Sequence, residues 1–154
     1  MAPGEVMRVN PGDAVDRRRV ITVGPAGDAE RPFDARQLEM LDEVIDAAER
    51  VTGLRFSAYL GDLGADSRSS ALSLLRRLGA DGPNAVLLAV SPAQRTVEVV
   101  TGSVAALRIT DRAARLAVLN VVSSVGNGDL HGALMNGIRT LADQAGTLPE
   151  RSGW

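Results

Sequence analysis

The feature that most constrains the fold is an uninterrupted apolar run at residues 86–90. A strand that has solvent on one face alternates apolar and polar side chains, whereas this run is apolar at every position. Such a run is typical of a strand that is covered on both faces and lies at the centre of a sheet. The chain has two Phe, one Tyr and one Trp, so aliphatic residues and Ala must supply nearly all of the core.

The first helix is predicted to occupy residues 34–53. Asp34 stands where a side chain can accept hydrogen bonds from free backbone amides, and Gln37 follows three residues later, as in a capping box. Apolar residues then recur at helical spacing until Gly53, which is typical of the left-handed residue that ends a helix.

Strands and helices alternate along the rest of the chain. Residues 55–60 and 96–101 alternate in polarity, and the second segment is predicted to form a hairpin with the apolar run. Three further helices are predicted at residues 67–78, 110–125 and 129–146. In the helix at 110–125 we expect three residues to face the core: Leu116, Leu119 and Val122. The pattern predicts the α/β (α+β) class, with a single mixed β-sheet sandwiched by helices.

The domain organisation is inferred from the length of the chain and from the positions of Pro and Gly. A chain of 154 residues is the size of one domain, and neither an internal repeat nor a linker is visible. Residues 1–18 contain two Pro-Gly pairs and favour an irregular arm, and a short strand is predicted at residues 20–23. We therefore expect one α/β domain at residues 19–147, preceded by this arm and followed by a tail at 148–154.

Composition excludes several classes of chemistry. The sequence contains neither Lys nor Cys, so Schiff-base chemistry, a phosphate-loop lysine and thiol chemistry are all excluded. A net charge of −2 with few aromatic residues argues against a nucleic-acid partner. No stretch is long and apolar enough for a signal peptide or a membrane span, so we expect a cytoplasmic protein without membrane insertion.

Four carboxylates are candidate metal ligands: Asp62, Asp66, Asp111 and Asp129. They fall at strand ends and helix starts, where they can converge on one edge of a sheet and hold a hard cation such as Ca²⁺. The alternative is that they cap helices, because Asp at a helix N-terminus accepts hydrogen bonds from free amides without any ligand. Arg112, beside Asp111, is the candidate contact for a phosphate group.

No complete catalytic motif is present, so the catalytic residues cannot be assigned. His131 is the one histidine and would have to serve any Ser-His-Asp hydrolase, but its position in the first turn of a helix suits a surface residue. Gly137 interrupts an apolar stripe in the last helix, which favours a position of close packing over a ligand loop.

Several short motifs carry a resemblance to a known family across residues 33–146. They are Thr101-Gly102 after the hairpin, Leu107-Arg108-Ile109-Thr110-Asp111 at a helix start, and Gly128-Asp129-Leu130 followed by Gly132 and Gly137. In these motifs the chain resembles the TPM domain, which is named for a thylakoid lumen protein, a photosystem II repair protein and an acetylcholine-receptor accessory protein. More narrowly, it resembles a soluble, uncharacterised actinobacterial branch of that family.

The resemblance implies a sheet sandwiched by helices, with acidic residues at one edge that bind a divalent ion such as Ca²⁺ in some members. It also implies weak acid phosphatase activity, which is attributed to the plant branch. The chain departs from the family pattern in two respects. No export segment is expected from its N-terminal composition, and the glycine-rich loop after the hairpin is reduced to Gly102-Ser103-Val104-Ala105.

Three hypotheses for function remain open at this point. The favoured one is a non-catalytic interaction or adaptor module with a protein partner, stabilised by a divalent cation if one binds. The alternative is a weak, metal-assisted acid phosphatase that uses the four Asp residues. The third is a module that binds a small ligand at the carboxyl ends of the strands.

Overall fold

A four-stranded mixed sheet forms the centre of the protein, for which the computed structural model describes residues 22–23 and 33–147. The strands lie side by side in chain order: β1 (Thr22–Val23), β2 (Arg55–Leu60), β3 (Ala85–Ser91) and β4 (Thr96–Thr101). The first three are parallel, and β4 runs antiparallel to β3. The predicted mixed sheet and the predicted hairpin are both confirmed.

Helices cover both faces of this sheet. They are α1 (Ala35–Thr52), α2 (Ser67–Arg76), α3 (Asp111–Gly126) and α4 (Leu130–Ala145). Helices α1, α3 and α4 pack on one face, whereas α2 packs on the other. Short 3₁₀ turns at Gly79–Asn84 and Ala105–Leu107 lead into β3 and follow β4.

The central strand is the predicted one. Every residue of β3 is buried, with Leu88 on the side of the three helices and Leu87 on the side of α2. An apolar run has no polar face to expose, so it is stable only between two layers. Its burial therefore confirms the prediction from residues 86–90.

The inward face of α3 differs from the predicted one. Its buried residues are Ala113, Ala117 and Val121, whereas the residues expected to face the core are exposed: Leu116, Leu119 and Val122. The reason lies in α4, where Gly137 has no side chain to hold the two helices apart. A Cβ atom on Gly137 would stand 2.7 Å from Val121 Cγ2. Close approach selects the small residues of α3 for the interface.

The helix ends largely follow the predicted signals. Asp34 and Gln37 form the capping box, and Gly53 ends α1 in the left-handed region with φ 77°. Of the strand predicted at residues 20–23, the structure describes Thr22–Val23. The expected arm at 1–18 and tail at 148–154 lie outside the described residues.

Arg108 links two helix ends on the side of the sheet where β4 finishes. Its guanidinium donates to the carbonyl oxygen of Thr52 at 3.0 Å and to that of Ala145 at 3.3 and 3.2 Å. It also reaches Gly146 O at 3.1 Å. Carbonyls at a helix C-terminus have no partner within the helix, so this one cation serves the ends of both α1 and α4.

Candidate functional site

Strand β4 forms one edge of the sheet in the part of the chain that the structure describes. In the antiparallel pair Val99 lies opposite Leu88, and its carbonyl oxygen accepts a hydrogen bond from Arg68 Nη1 at 3.2 Å. That carbonyl therefore points away from β3. Since backbone direction alternates along an antiparallel strand, the N–H and C=O groups of Val97 and Thr101 point outward as well.

A groove of about 410 Å³ runs along this edge between α2 and α3. We call it the β4 groove. Its wall on the side of α2 is Arg68, and its wall on the side of α3 includes Ala114, Arg115 and Val118. Its floor is the outer edge of β4, with residues such as Val97 and Thr101.

Charged groups in the β4 groove are partly paired. Arg68 Nη1 lies 3.6 Å from Glu98 Oε1, and the Ser67 hydroxyl donates to the other oxygen of the same carboxylate. Asp111 and Arg115 line the α3 side. The Nε and Nη2 atoms of Arg68 make no hydrogen bond to any described residue, so this guanidinium has donors left for a ligand.

A second groove of about 510 Å³ continues along the same strand toward the hairpin turn. Val97 lines both grooves, and Val122 and Val125 of α3 line the second one together with Arg95. Val122 is 47% exposed, whereas Leu119, which is 66% exposed, lines neither groove. The side of α3 that borders the two grooves thus places partly exposed valines next to the strand edge.

Two of the four candidate metal ligands cap helices. Asp66 caps α2, where hydrogen bonds from the Ser69 N–H and hydroxyl, at 3.1 and 3.0 Å, lower the pKa of its carboxyl group. Asp129 caps α4 by accepting from the Gly132 N–H at 2.9 Å. In both cases the carboxylate is a helix N-cap, a role that requires no ion.

Asp62 and Asp111 lie at opposite ends of the sheet. Asp62 follows the carboxyl end of β2, and its carbonyl oxygen accepts from the Tyr59 hydroxyl at 2.8 Å. Asp111 begins α3 near Thr101, which pairs with Val86 at the start of β3. Six strand residues span roughly 20 Å, a separation that one ion cannot bridge.

Among residues 33–147 no three His, Asp or Glu side chains are grouped in a way that could hold a metal ion. Asp62, Asp66, Asp111 and Asp129 are therefore not drawn together by the described structure, and the Ca²⁺ site remains a prediction of the resemblance. Arg112 is an exposed residue of the first turn of α3, beside Asp111.

His131 joins two helices. Its Nε2 atom lies 2.9 Å from the carbonyl oxygen of Gln37, and its ring packs edge-on against Phe33 with centroids 5.3 Å apart. A carbonyl oxygen can only accept, so Nε2 carries the proton in this contact. The residue thus connects α4 to the start of α1, an arrangement that accounts for it without catalysis.

The sequence patterns above identified neither the β4 groove nor a role for Arg68. The alternation of residues 96–101 predicts a strand, but it does not reveal whether another strand follows β4 in the sheet. Of the three exposed aliphatic residues of α3, only Val122 lines a groove along β4, so they carried little signal for the site. Within the described part of the chain, no helix has the length and apolarity needed to cross a membrane.

Comparisons with known proteins identify relatives of this chain. Residues 13–142 match a family described as a domain of unknown function, DUF5130. Two uncharacterised proteins of Mycobacterium tuberculosis, MT2543 of strain CDC 1551 and Rv2468c of strain H37Rv, are each 40% identical over 118 residues. The aligned region covers 77% of this chain and 69% of each relative.

Solved structures share the fold at low sequence identity. The N-terminal domain of a protein from P. gingivalis has a TM-score of 0.68 at 20% identity, covering 90% of this chain and 92% of that domain. The BA42 protein of Bizionia argentinensis has a TM-score of 0.69 at 16% identity, covering 79% and 88%. The N-terminal domain of cg2496 from Corynebacterium glutamicum has a TM-score of 0.68 at 13% identity, covering 96% and 92%. These matches support the α/β fold, and the TPM resemblance remains a prediction.

Proposed function

This chain belongs to the DUF5130 family, and we propose that it is a protein-interaction module that binds an extended segment of a partner protein along the free edge of β4. The observation that carries the proposal is the outward direction of the backbone groups of Val97, Val99 and Thr101. Outward-facing N–H and C=O groups of an edge strand are a template on which a further strand can pair. In β4 these groups are most accessible at Val97 and Thr101, because Val99 is buried and Arg68 Nη1 occupies its carbonyl. Strand addition to such an edge is a recurrent mode of peptide recognition.

The surroundings of the edge favour binding over simple protection. Proteins often protect a free edge with a charged side chain, and Arg68 covers the carbonyl of Val99 in this way. Protection alone does not require an aliphatic side chain in solvent beside the edge, yet Val122, which lines the second groove, is 47% exposed. Exposed apolar groups next to a strand template are typical of an interaction site.

The proposal needs neither a nucleophile nor a metal ion. Two of the four Asp carboxylates are engaged by backbone amides, and His131 is engaged by Gln37 O. The alternative of a metal-assisted phosphatase depends on all four carboxylates acting together. An interaction module depends only on the groove that lies between α2 and α3.

The test uses a fluorescently labelled peptide of alternating valine and threonine as a probe of strand addition. Wild-type protein is expected to bind it, with slower amide hydrogen exchange at Val97, Val99 and Thr101 in the complex. Val97→Pro should abolish binding, because proline removes an outward N–H that β3 does not use. Val97→Thr keeps that N–H and serves as the matched control that still binds.

Thermal unfolding of both variants shows whether the fold survives, and binding is compared only between folded proteins. Leu107→Ala removes an apolar side chain that is 82% exposed but lies outside the groove, and it should leave binding unchanged. Unchanged exchange at the three amides at saturating peptide, or equal binding by Val97→Pro and Val97→Thr, would overturn the proposal.

A further inference from the structure

We infer that the segment bound in the β4 groove is a lone extended peptide with aliphatic side chains toward α3 and at least one carboxylate toward α2. This inference rests on the function proposed above, which supplies the groove as the binding site. It adds that the partner segment is a single strand without a sheet of its own, and it specifies the side chains that the segment carries.

A lone strand fits this edge better than the sheet of a second copy. Helices α2 and α3 both border the β4 edge, because Arg68 and Arg115 form opposite walls of the groove. Antiparallel pairing of two β4 strands would place the α3 helices of both copies on the same face. Helix α3 packs on β4, so the two copies of α3 would lie about as close together as the paired strands beneath them, about 4.8 Å. Packed helices need about 8–10 Å between their axes. A peptide without its own helices avoids this conflict.

The two sides of the bound strand meet different environments. Val97 and Val99 point to the side of the three helices, where Ala114 and Val118 of α3 are partly buried against the same core. Alternate side chains of an added strand point to this side and should be aliphatic, since they extend that apolar surface. Val122 continues it toward the hairpin turn.

On the other side the bound strand meets Arg68. Its Nη1 atom already contacts Val99 O and Glu98, while Nε and Nη2 make no hydrogen bond within residues 33–147. A guanidinium binds a carboxylate best through two donors in parallel, so these atoms suit an acidic side chain of the peptide. Glu98 is compensated by Arg68 and by the Ser67 hydroxyl.

The charge of the whole edge agrees with this assignment. The two grooves along β4 are lined by three arginines and two carboxylates: Arg68, Arg95, Arg115, Glu98 and Asp111. The edge is therefore locally positive, although the chain has a net charge of −2. A weakly acidic, aliphatic segment complements both its charge and its apolar wall.

The test compares three valine-threonine peptides that differ only at the central polar position, which is Glu, Thr or Lys. For wild-type protein the Glu peptide should bind roughly two- to fivefold more tightly than the Thr peptide, and the Lys peptide more weakly, as expected of an exposed ion pair. In Arg68→Met the advantage of Glu should disappear. The Thr peptide should bind at least as well as before, because the carbonyl of Val99 is then uncovered.

The outcomes separate this inference from the proposed function. Equal binding of all three peptides, still abolished by Val97→Pro, would overturn the acidic partner and leave strand addition intact. Failure of every peptide to bind would overturn both. A wild-type dimer in sedimentation equilibrium that Val97→Pro dissociates would identify a second copy as the occupant and overturn the lone strand.

Discussion

Gly137 of α4 lies directly against Val121 of α3, so closely that a Cβ atom on the glycine would stand 2.7 Å from Val121 Cγ2. The same atom would stand 2.8 Å from Leu88 Cδ2 of the central strand. Both neighbours are fully buried, which leaves their methyl groups little room to move. One missing side chain therefore sets the separation of two helices and a strand.

Gly137→Ala is expected to destabilise the protein by about 1–3 kcal/mol, because overpacking outweighs the better helix propensity of Ala. Gly126→Ala is the matched control, since a Cβ atom there meets nothing within 4 Å. The control should leave stability unchanged or slightly higher. The measurement is urea unfolding of both variants, and equal midpoints would show that α4 can move away from α3.

The corrected face of α3 leads to a second prediction. Leu119→Ala should change the free energy of unfolding by less than about 0.5 kcal/mol, because Leu119 is an exposed residue. Val121→Ala should cost about 1–3 kcal/mol, because it leaves a cavity beside Gly137. Chemical unfolding of the pair decides between the two faces, and the reverse order of costs would restore the face predicted from the sequence.

The central strand was predictable from its sequence, whereas the inward face of α3 was not. An apolar run at residues 86–90 permits one environment, so local pattern was sufficient. Helix α3 instead carries two sets of apolar residues at helical spacing, one small and one large. Only contact with Gly137, which is distant in sequence, selects the small set.

The candidate site has the same dependence on distant residues. Residues 96–101 identify a strand from their alternation, but the edge exists because β4 is the last of the described strands in the sheet. Asp66 and Asp129 were predicted both as metal ligands and as caps, and the backbone amides of Ser69 and Gly132 now account for them as caps. Local signals thus assigned the elements, while the site depends on how they are assembled.

Arg108 provides a test of the contact between α1 and α4. Arg108→Met retains much of the aliphatic stem and removes the donors to Thr52 O, Ala145 O and Gly146 O. We expect a loss of about 1–3 kcal/mol, because hydrogen bonds from a charged group are lost and carbonyls are left without that partner. Arg112→Met, at an exposed position of α3, is the control that should cost less than about 0.5 kcal/mol. Thermal unfolding of the two variants gives the comparison, and similar melting temperatures would contradict the linking role.

Tyr59 is the one tyrosine of the chain and reports on alkaline stability. Burial raises its pKa from 10.0 to about 12, and the nearby charge of Asp62 adds to this while Arg77 opposes it. Below pH 10 the phenol is neutral in both the folded and the unfolded state, so it has no effect on pH dependence there. Between about pH 10 and 12 the unfolded state ionises first, and stability should fall as pH rises.

The measurement for Tyr59 is tyrosinate absorbance during a pH titration, together with urea unfolding at several alkaline pH values. Tyr59→Phe should be less stable by about 1 kcal/mol at neutral pH, because the hydrogen bond to Asp62 O is lost. The variant should also lack this contribution to the alkaline decline. A midpoint of ionisation near pH 10 in the folded protein would contradict the assigned environment.

Asp129 allows the capping and metal-binding hypotheses to be separated. Its carboxylate accepts from the Gly132 N–H at 2.9 Å, and a Cβ atom on Gly132 would stand 2.7 Å from the carboxylate carbon, so the cap is closely fitted. Asp129→Ala should therefore cost about 1 kcal/mol, the usual loss for an N-cap. Asp129→Asn retains an acceptor oxygen at the same place and should recover most of that loss.

If capping is the whole role of Asp129, both stability differences are the same with a chelator and with millimolar Ca²⁺, because an ion that binds only the folded state would raise its stability by mass action. A rise in wild-type melting temperature with Ca²⁺ that Asp129→Asn abolishes would instead establish the cation site that the TPM resemblance implies.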